Sequence, residues 1–216
     1  WNGSTWAKMS GGDIPGEVAG EYSGWSVSMS TDGTRIVVGA LLNFGGGLSY
    51  RGMTRVYQWN GSTWPKMSGG DIPGEVDSEY SGSSVSMSAD GTRIVVGANG
   101  NTGGGLSGRG MARVYQWNGS TWAKMLGVDI PGELDSENSG KSVSMSADGT
   151  RIVVGANNNN GGGLSGRGMA RVYTIPTTNA ITYTSGNSSV ANIFGNLLLI
   201  KGGGTSEIAA TQSGTT

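Results

Sequence analysis

The chain has no cysteine and no histidine, only five prolines and two phenylalanines, and just 13% charged residues among its 216 positions. Without Cys or His there is no disulfide framework, no thiol nucleophile, no imidazole base and no His/Cys metal site. Fourteen basic and fifteen acidic residues leave a net charge of −1, and no run of one sign occurs. A nucleic acid therefore finds no dense positive field for its phosphates, and none is expected as a partner. The longest apolar run, Leu197–Ile200, is far short of the ~20 residues of a transmembrane helix, so no membrane span is expected. There is no N-terminal Met and no signal peptide, and the chain opens inside a repeat at Trp1-Asn2-Gly3. Both features point to a fragment or a processed product. The lack of Cys fits an extracellular repeat protein.

What the chain has in excess is glycine, 42 residues, at fixed positions of a repeat, so the bias reflects turns and not disorder. Trp1-Asn2-Gly3-Ser4-Thr5-Trp6 recurs at Trp59–Trp64 and at Trp117–Trp122, a period of 58. Asp13–Glu17 returns at Asp71–Glu75 and Asp129–Glu133, and Asp32–Ala40 at Asp90–Ala98 and Asp148–Ala156. Such self-similarity decides the architecture before any local reading does.

Four strands are expected per repeat. Ser26–Ser30 alternates Val27 and Met29 with serines, a period of two whose small face lets a neighbouring sheet approach closely. Asp32-Gly33 signals a hairpin into Arg35–Ala40, whose consecutive Ile36-Val37-Val38 predicts a strand covered on both faces. The glycine-rich loop Gly45–Gly47 leads to a third strand at Thr54–Trp59, and Asn60-Gly61 turns into a fourth around Thr63–Met67. The fold class is therefore all-β: three 58-residue, four-stranded β-propeller-type blades over 1–175 (about 1–58, 59–116 and 117–175). Solenoid coils, the competing repeat architecture, run shorter, about 20–30 residues. The third repeat stops after its third strand, so Trp1–Met9 is expected to supply the missing outer strand and close the ring. Three blades are fewer than the roughly four to eight of a propeller, which leaves dimeric completion, further blades, or an open stack.

The segment Tyr80–Ala98, with Ser83-Ser84-Val85-Ser86-Met87-Ser88-Ala89-Asp90-Gly91, resembles the FG-GAP repeat of integrin-α-type β-propellers. It looks like the tandem repeats of large surface proteins of marine bacteria and algae, over residues 1 to about 175. The resemblance implies an extracellular propeller used for adhesion or display, without catalytic residues. It also implies Ca²⁺ in a D-x-D-x-D-G-type loop; here Ser30-Thr31-Asp32-Gly33 remains, so Asp32, Asp90 and Asp148 are the calcium candidates. Residues 176–216 resemble part of a group 2 bacterial immunoglobulin-like domain, through Ile181–Ala191 and Lys201–Ala210. They are expected to form a partial immunoglobulin-like β-sandwich, a module of stalks and adhesins.

Asn2, Asn60 and Asn118, in Asn-Gly-Ser sequons, are candidates for N-glycosylation, or they simply build type I′ turns. Asp13, Glu17 and Glu21 offer further oxygen ligands, or pair with Arg35, Arg51 and Arg55. Trp1, Trp6 and their copies could stack sugars, or pack strand edges. The departures from the repeat concentrate in its first copy. Trp25 stands where the others have Ser83 and Lys141, Leu41, Leu42 and Phe44 where they have polar residues or glycine, and Tyr50 where they have glycine. These five apolar side chains, in positions that tolerate polar ones, mark a partner interface. Leu197 and Leu199, with Phe194, mark a second one in the partial module. The expected partners are other copies of the chain or a neighbouring surface protein. The expected function is a structural or adhesive component of an extracellular surface assembly or filament. A carbohydrate-binding propeller lectin is the alternative, with glycans as partners, and an enzyme is not expected because no nucleophile–base pair is visible.

Overall fold

The apolar run Ile36-Val37-Val38 does form a strand buried on both faces: β2 (Arg35–Ala40), between β1 (Ser23–Met29) and β3 (Met53–Gln58), with β4 (Lys66–Pro73) beyond. This is seen in a computed structural model that describes residues 3–175, 181–187, 189–194, 197–200, 203–205 and 207–212. The pattern recurs in sheet 2, with β5 (Ser81–Met87), β6 (Arg93–Ala98), β7 (Met111–Trp117) and β8 (Trp122–Pro131). Sheet 3 has three strands, β9 (Ser139–Met145), β10 (Arg151–Ala156) and β11 (Met169–Thr174). Every strand pairing within these three sheets is antiparallel, and each strand lies beside its neighbour in sequence. Among the described residues there is no α-helix, and no helix long and apolar enough to cross a membrane.

Two features differ from the reading of the sequence. The fourth strand starts at Lys66 and runs on through Asp71-Ile72-Pro73, because the register shifts opposite Arg55–Tyr57 and Gly69, at φ +61°, absorbs the bulge. The ring is also not closed by the chain's own start. Residues 3–9 belong to no strand, and β11 remains an edge. The N-terminal segment is used elsewhere, since Ile14 packs with Trp64 on Ile36, Val38 and Tyr57 of sheet 1.

The sheets stack face to face. Val37 and Val56 of sheet 1 share one core with Val85, Met87, Ile94 and Val96 of sheet 2. Val95 and Val114 on the other face of sheet 2 share the next core with Met145, Ile152 and Val154 of sheet 3. The serine face of the first strand carries the close approach. Ser26 Oγ donates to the Gly82 carbonyl at 2.8 Å, and the Met87 N–H donates to Ser28 Oγ at 3.1 Å. Ser84 Oγ and Gly140 O, at 2.8 Å, and Met145 N–H and Ser86 Oγ, at 3.0 Å, repeat the pair one sheet on. The turn that follows adds a ladder of its own. The Thr31 N–H donates to Ala89 O (2.9 Å) and the Ala89 N–H to Ala147 O (2.8 Å). Arg35 and Arg93 reach Gly91 O and Gly149 O at 3.1 and 3.0 Å.

The stack has two open ends. Val27 on β1 is 66% exposed where Val85 is 8%, and Val172 on β11 is 71% exposed where Val56 and Val114 are fully buried.

Residues Pro176–Thr216 form a separate unit. In it β12 (Ile181–Ser185) pairs with β15 (Ile208–Gln212), and β13 (Ala191–Phe194) pairs with β14 (Leu197–Ile200), placing Phe194 opposite Leu197. The side chains of Phe194, Leu197 and Leu199 lie outside the described residues.

Glycine at the closest approach follows from these distances. A Cβ on Gly97 would sit 2.1 Å from Gly140 O, whereas one on Gly155 would meet only the rotatable Ser142 hydroxyl of its own sheet. Gly97→Ala should cost about 1–3 kcal/mol and Gly155→Ala within about 0.5 kcal/mol, as read by urea denaturation.

Candidate functional site

The densest polar cluster of each repeat is built around one buried glutamate. Glu21, in the segment before β1, accepts Arg55 Nη1 and Nη2 at 2.8 and 2.9 Å, Asn43 Nδ2 at 2.7 Å and the Glu17 N–H at 2.7 Å. Arg55 is placed on β3 facing it and is itself buried. Sheet 2 repeats the arrangement with Glu79, Arg113, Asn101 and the Glu75 N–H, and sheet 3 with Glu137, Arg171, Asn159 and the Glu133 N–H. Around the first two lies an outer ring: Lys66 bridges Glu17 and Asp71 at 2.9 and 2.7 Å, and Lys124 bridges Glu75 and Asp129 at 2.9 and 3.2 Å. Burial acts to raise the Glu21 carboxyl pKa, but the hydrogen bonds from Arg55, Asn43 and the Glu17 N–H outweigh it and hold the group at about 2. Burial likewise fails to raise Glu137, which the Arg171 bond keeps low. By residue type and position in the sequence Glu21 stands among equal acids. It is instead the centre of a clamp that ties the entry of each sheet to its third strand.

The calcium candidates sit in the turns after the first strand of each sheet. Asp32 accepts the Ser30 hydroxyl (2.6 Å) and the Thr34 N–H and hydroxyl (3.0 and 2.8 Å), bonds that hold its carboxyl at about 2. Asp90 and Asp148 make the same three bonds, so each carboxylate closes its own turn. Among the described residues no group of three or more Asp or Glu is placed to share an ion.

Asn2 lies outside the described residues. Asn60 and Asn118 are exposed. Their turns are not type I′: neither asparagine takes a positive φ, and each stands first in its turn, its side-chain oxygen accepting Ser62 and Thr63 or Ser120 and Thr121 N–H groups. The Asx cap does the work that a left-handed asparagine would otherwise do.

The tryptophans divide. Trp122 is buried and Trp64 packs inward, so neither is available as a sugar platform, while Trp6 is exposed. Trp59 and Trp117, their rings tilted against Trp64 and Trp122 with centroids 5.3 and 5.9 Å apart, line instead an open groove of about 660 Å³ with Asn60, Lys66 and Ser120. Of the first-copy apolar residues, Phe44 and Tyr50 come together with rings 4.7 Å apart, and Tyr50 meets Tyr80 at 6.2 Å. Leu41 and Leu42 are half-buried beside Phe44 in sequence, and Trp25 lies exposed on β1.

No family model matches the chain, and no curated protein matches it. Among solved structures it is similar to the hydrazine synthase of Kuenenia stuttgartiensis, at 12% identity and a TM-score of 0.41, over 69% of this chain and 44% of that one. The chain thus spans less than half of that protein's length. That protein bears an enzyme's name, which conflicts with the expectation that the chain is not an enzyme, and that expectation is not carried forward. A likeness of this strength in turn carries no argument for any chemistry here.

Removing the centre of a clamp strands a buried guanidinium. Glu79→Ala should destabilise the fold by about 3–5 kcal/mol, and Asp71→Asn, on the half-exposed outer ring, by under about 1 kcal/mol, both by chemical denaturation. The pH dependence follows with its sign. A carboxyl lowered from 4.5 to about 2 stabilises the native state above 4.5 and loses that contribution as pH falls toward 2. The denaturation midpoint should hold steady from pH 7 to about 5 and fall below that; a midpoint flat to pH 2.5 would contradict the clamp.

Proposed function

We propose that the chain is a structural and adhesive component of an extracellular surface assembly, built on propeller-type blades of the FG-GAP kind followed by a partial immunoglobulin-like module. The threefold recurrence of the Glu21–Arg55 clamp, bond for bond, carries this reading. Each copy spends its buried charge on holding its own sheet, which is what a load-spreading scaffold of repeats requires. Loops and end faces are then left to meet partners, and repeat one enriches them in Trp25, Phe44 and Tyr50. Light scattering on the purified chain should show particles of several copies, with no sugar added. A single copy per particle at all concentrations tested would count against the proposal.

The groove between Trp59 and Trp117 favours a second reading, glycan binding. Aromatic faces beside amide, ammonium and hydroxyl groups are the chemistry that sugars bind. Saturable binding on a glycan array, lost in Trp59→Ala and kept in Trp6→Ala, would support it; no sugar bound by the wild-type chain would remove it.

A further inference from the structure

We infer that two copies of this chain dock head to tail, the N-terminal segment Lys8–Pro15 of one adding to the open edge β11 of the other as the fourth strand of its sheet 3. The inference rests on the assembly reading above and specifies its contact.

The N-terminal segment already has the form of a fourth strand without a sheet. At the period of 58, Lys8, Met9, Gly11, Asp13 and Ile14 are the counterparts of Lys66, Met67, Gly69, Asp71 and Ile72 of β4. Gly11 carries φ +69° where the bulge glycine Gly69 carries +61°. Ile14 packs on Ile36, Val38 and Tyr57, as Ile72 shares a core with Ile94, Val96 and Tyr115. The segment thus occupies, against sheet 1, the position that the last strand of a preceding sheet would take.

Sheet 3 lacks the complementary piece. Among the described residues no strand pairs with β11 on its far side, and its outer face exposes Val172 where the earlier sheets bury Val56 and Val114. The outer ring of its clamp is incomplete as well. Glu133 pairs with Arg171 and, among the described residues, with no lysine, and it is more exposed, at 66%, than Glu17 and Glu75, at 44% and 45%. Lys8 and Asp13, whose counterparts complete the ring in sheets 1 and 2, pair among the described residues only with each other, at 2.6 Å and largely exposed.

The stacking faces match in the same sense. Among the described residues the Ser142 and Ser144 hydroxyls, the Ala147 N–H and the Arg151 guanidinium hold no hydrogen bond, and their counterparts are the groups that reach the next sheet. Sheet 1 presents the receiving set: the carbonyls of Gly24, Thr31 and Gly33 and the Met29 N–H, beside exposed Val27 and Met29. The two ends are therefore the two halves of an interface that the chain has already made twice within itself. Contact between unlike faces is heterologous, closing into a six-sheet ring of two copies or continuing as a filament according to the turn between sheets.

Val27→Asp and Val172→Asp alter residues exposed in the single chain and should leave its denaturation midpoint unchanged. Each variant alone should lose self-association by at least about 100-fold, by analytical ultracentrifugation, while an equimolar mixture retains one intact pair of faces and should form a one-to-one dimer that goes no further. Because the chain holds no cysteine, the register can be tested directly. Met53 pairs with Pro73, so Met169 of one copy should oppose Pro15 of the other. Oxidising a mixture of the single variants Pro15→Cys and Met169→Cys should give a covalent heterodimer, and the double variant should give covalent chains or rings of two copies or more. A double variant cross-linked within one monomer, or not cross-linked, overturns the proposal. Assembly that persists in Val27→Asp and Val172→Asp but fails in Phe44→Ser overturns this contact and leaves the assembly reading standing. A wild-type chain that never associates removes both.

Discussion

The structure depends on how closely one small sheet can lie on the next. At that contact no side chain larger than serine separates the backbones at Ser26 and Gly82, or at Ser84 and Gly140, and the hydroxyls bond to carbonyls of the neighbouring sheet. Apolar burial supplies most of the attraction between sheets, through Val37 and Val56 against Val85 and Met87. It is non-directional and sets no register by itself. The hydroxyl and arginine bonds, repeated at one offset, hold each sheet at a fixed slide over its neighbour. Any side chain added at Gly39 or Gly97 would lift the faces apart and forfeit both contributions.

Within a sheet the corresponding role falls to the buried glutamate. A charge out of water is costly unless its hydrogen-bonding capacity is met, and Glu21 meets it with a bidentate arginine, an amide and a backbone N–H. Two of those partners lie 22 and 34 residues along the chain, so one carboxylate gathers the entry segment, the loop after β2 and β3 into a single geometry. The turn aspartates act over a shorter range: Asp32 reaches only Ser30 and Thr34. The two devices divide long-range and local order between them.

Much of the fold was legible because the repeat presents the same evidence three times. Strand β2 matches its expected bounds, since Ile36-Val37-Val38 between Arg35 and Gly39 allows little else. Strand β4 was misplaced because a bulge at Gly69 depends on a left-handed backbone that glycine permits but does not announce. The inward turn of Trp64 and Trp122 depends on which way the hairpin at Asn60 or Asn118 carries the following strand, and the Asx cap that decides it is a contact, not a pattern. Glu21 could not be told from Glu17 by type; the difference lies in facing Arg55 across the sheet. A signal was nonetheless present, since Glu21, Asn43 and Arg55 keep their mutual spacing in all three copies.

Because each clamp closes within one sheet and each stacking contact joins only adjacent sheets, the stack behaves as a one-dimensional lattice. Its free energy is a sum of per-sheet terms and nearest-neighbour couplings, with no term that knows the total number of sheets. Whole copies can therefore be gained or lost without redesigning any contact, and loosening starts at a terminal sheet, which has one neighbour, before it reaches the middle one, which has two. Mechanical load along the stack would be borne joint by joint, in equal steps.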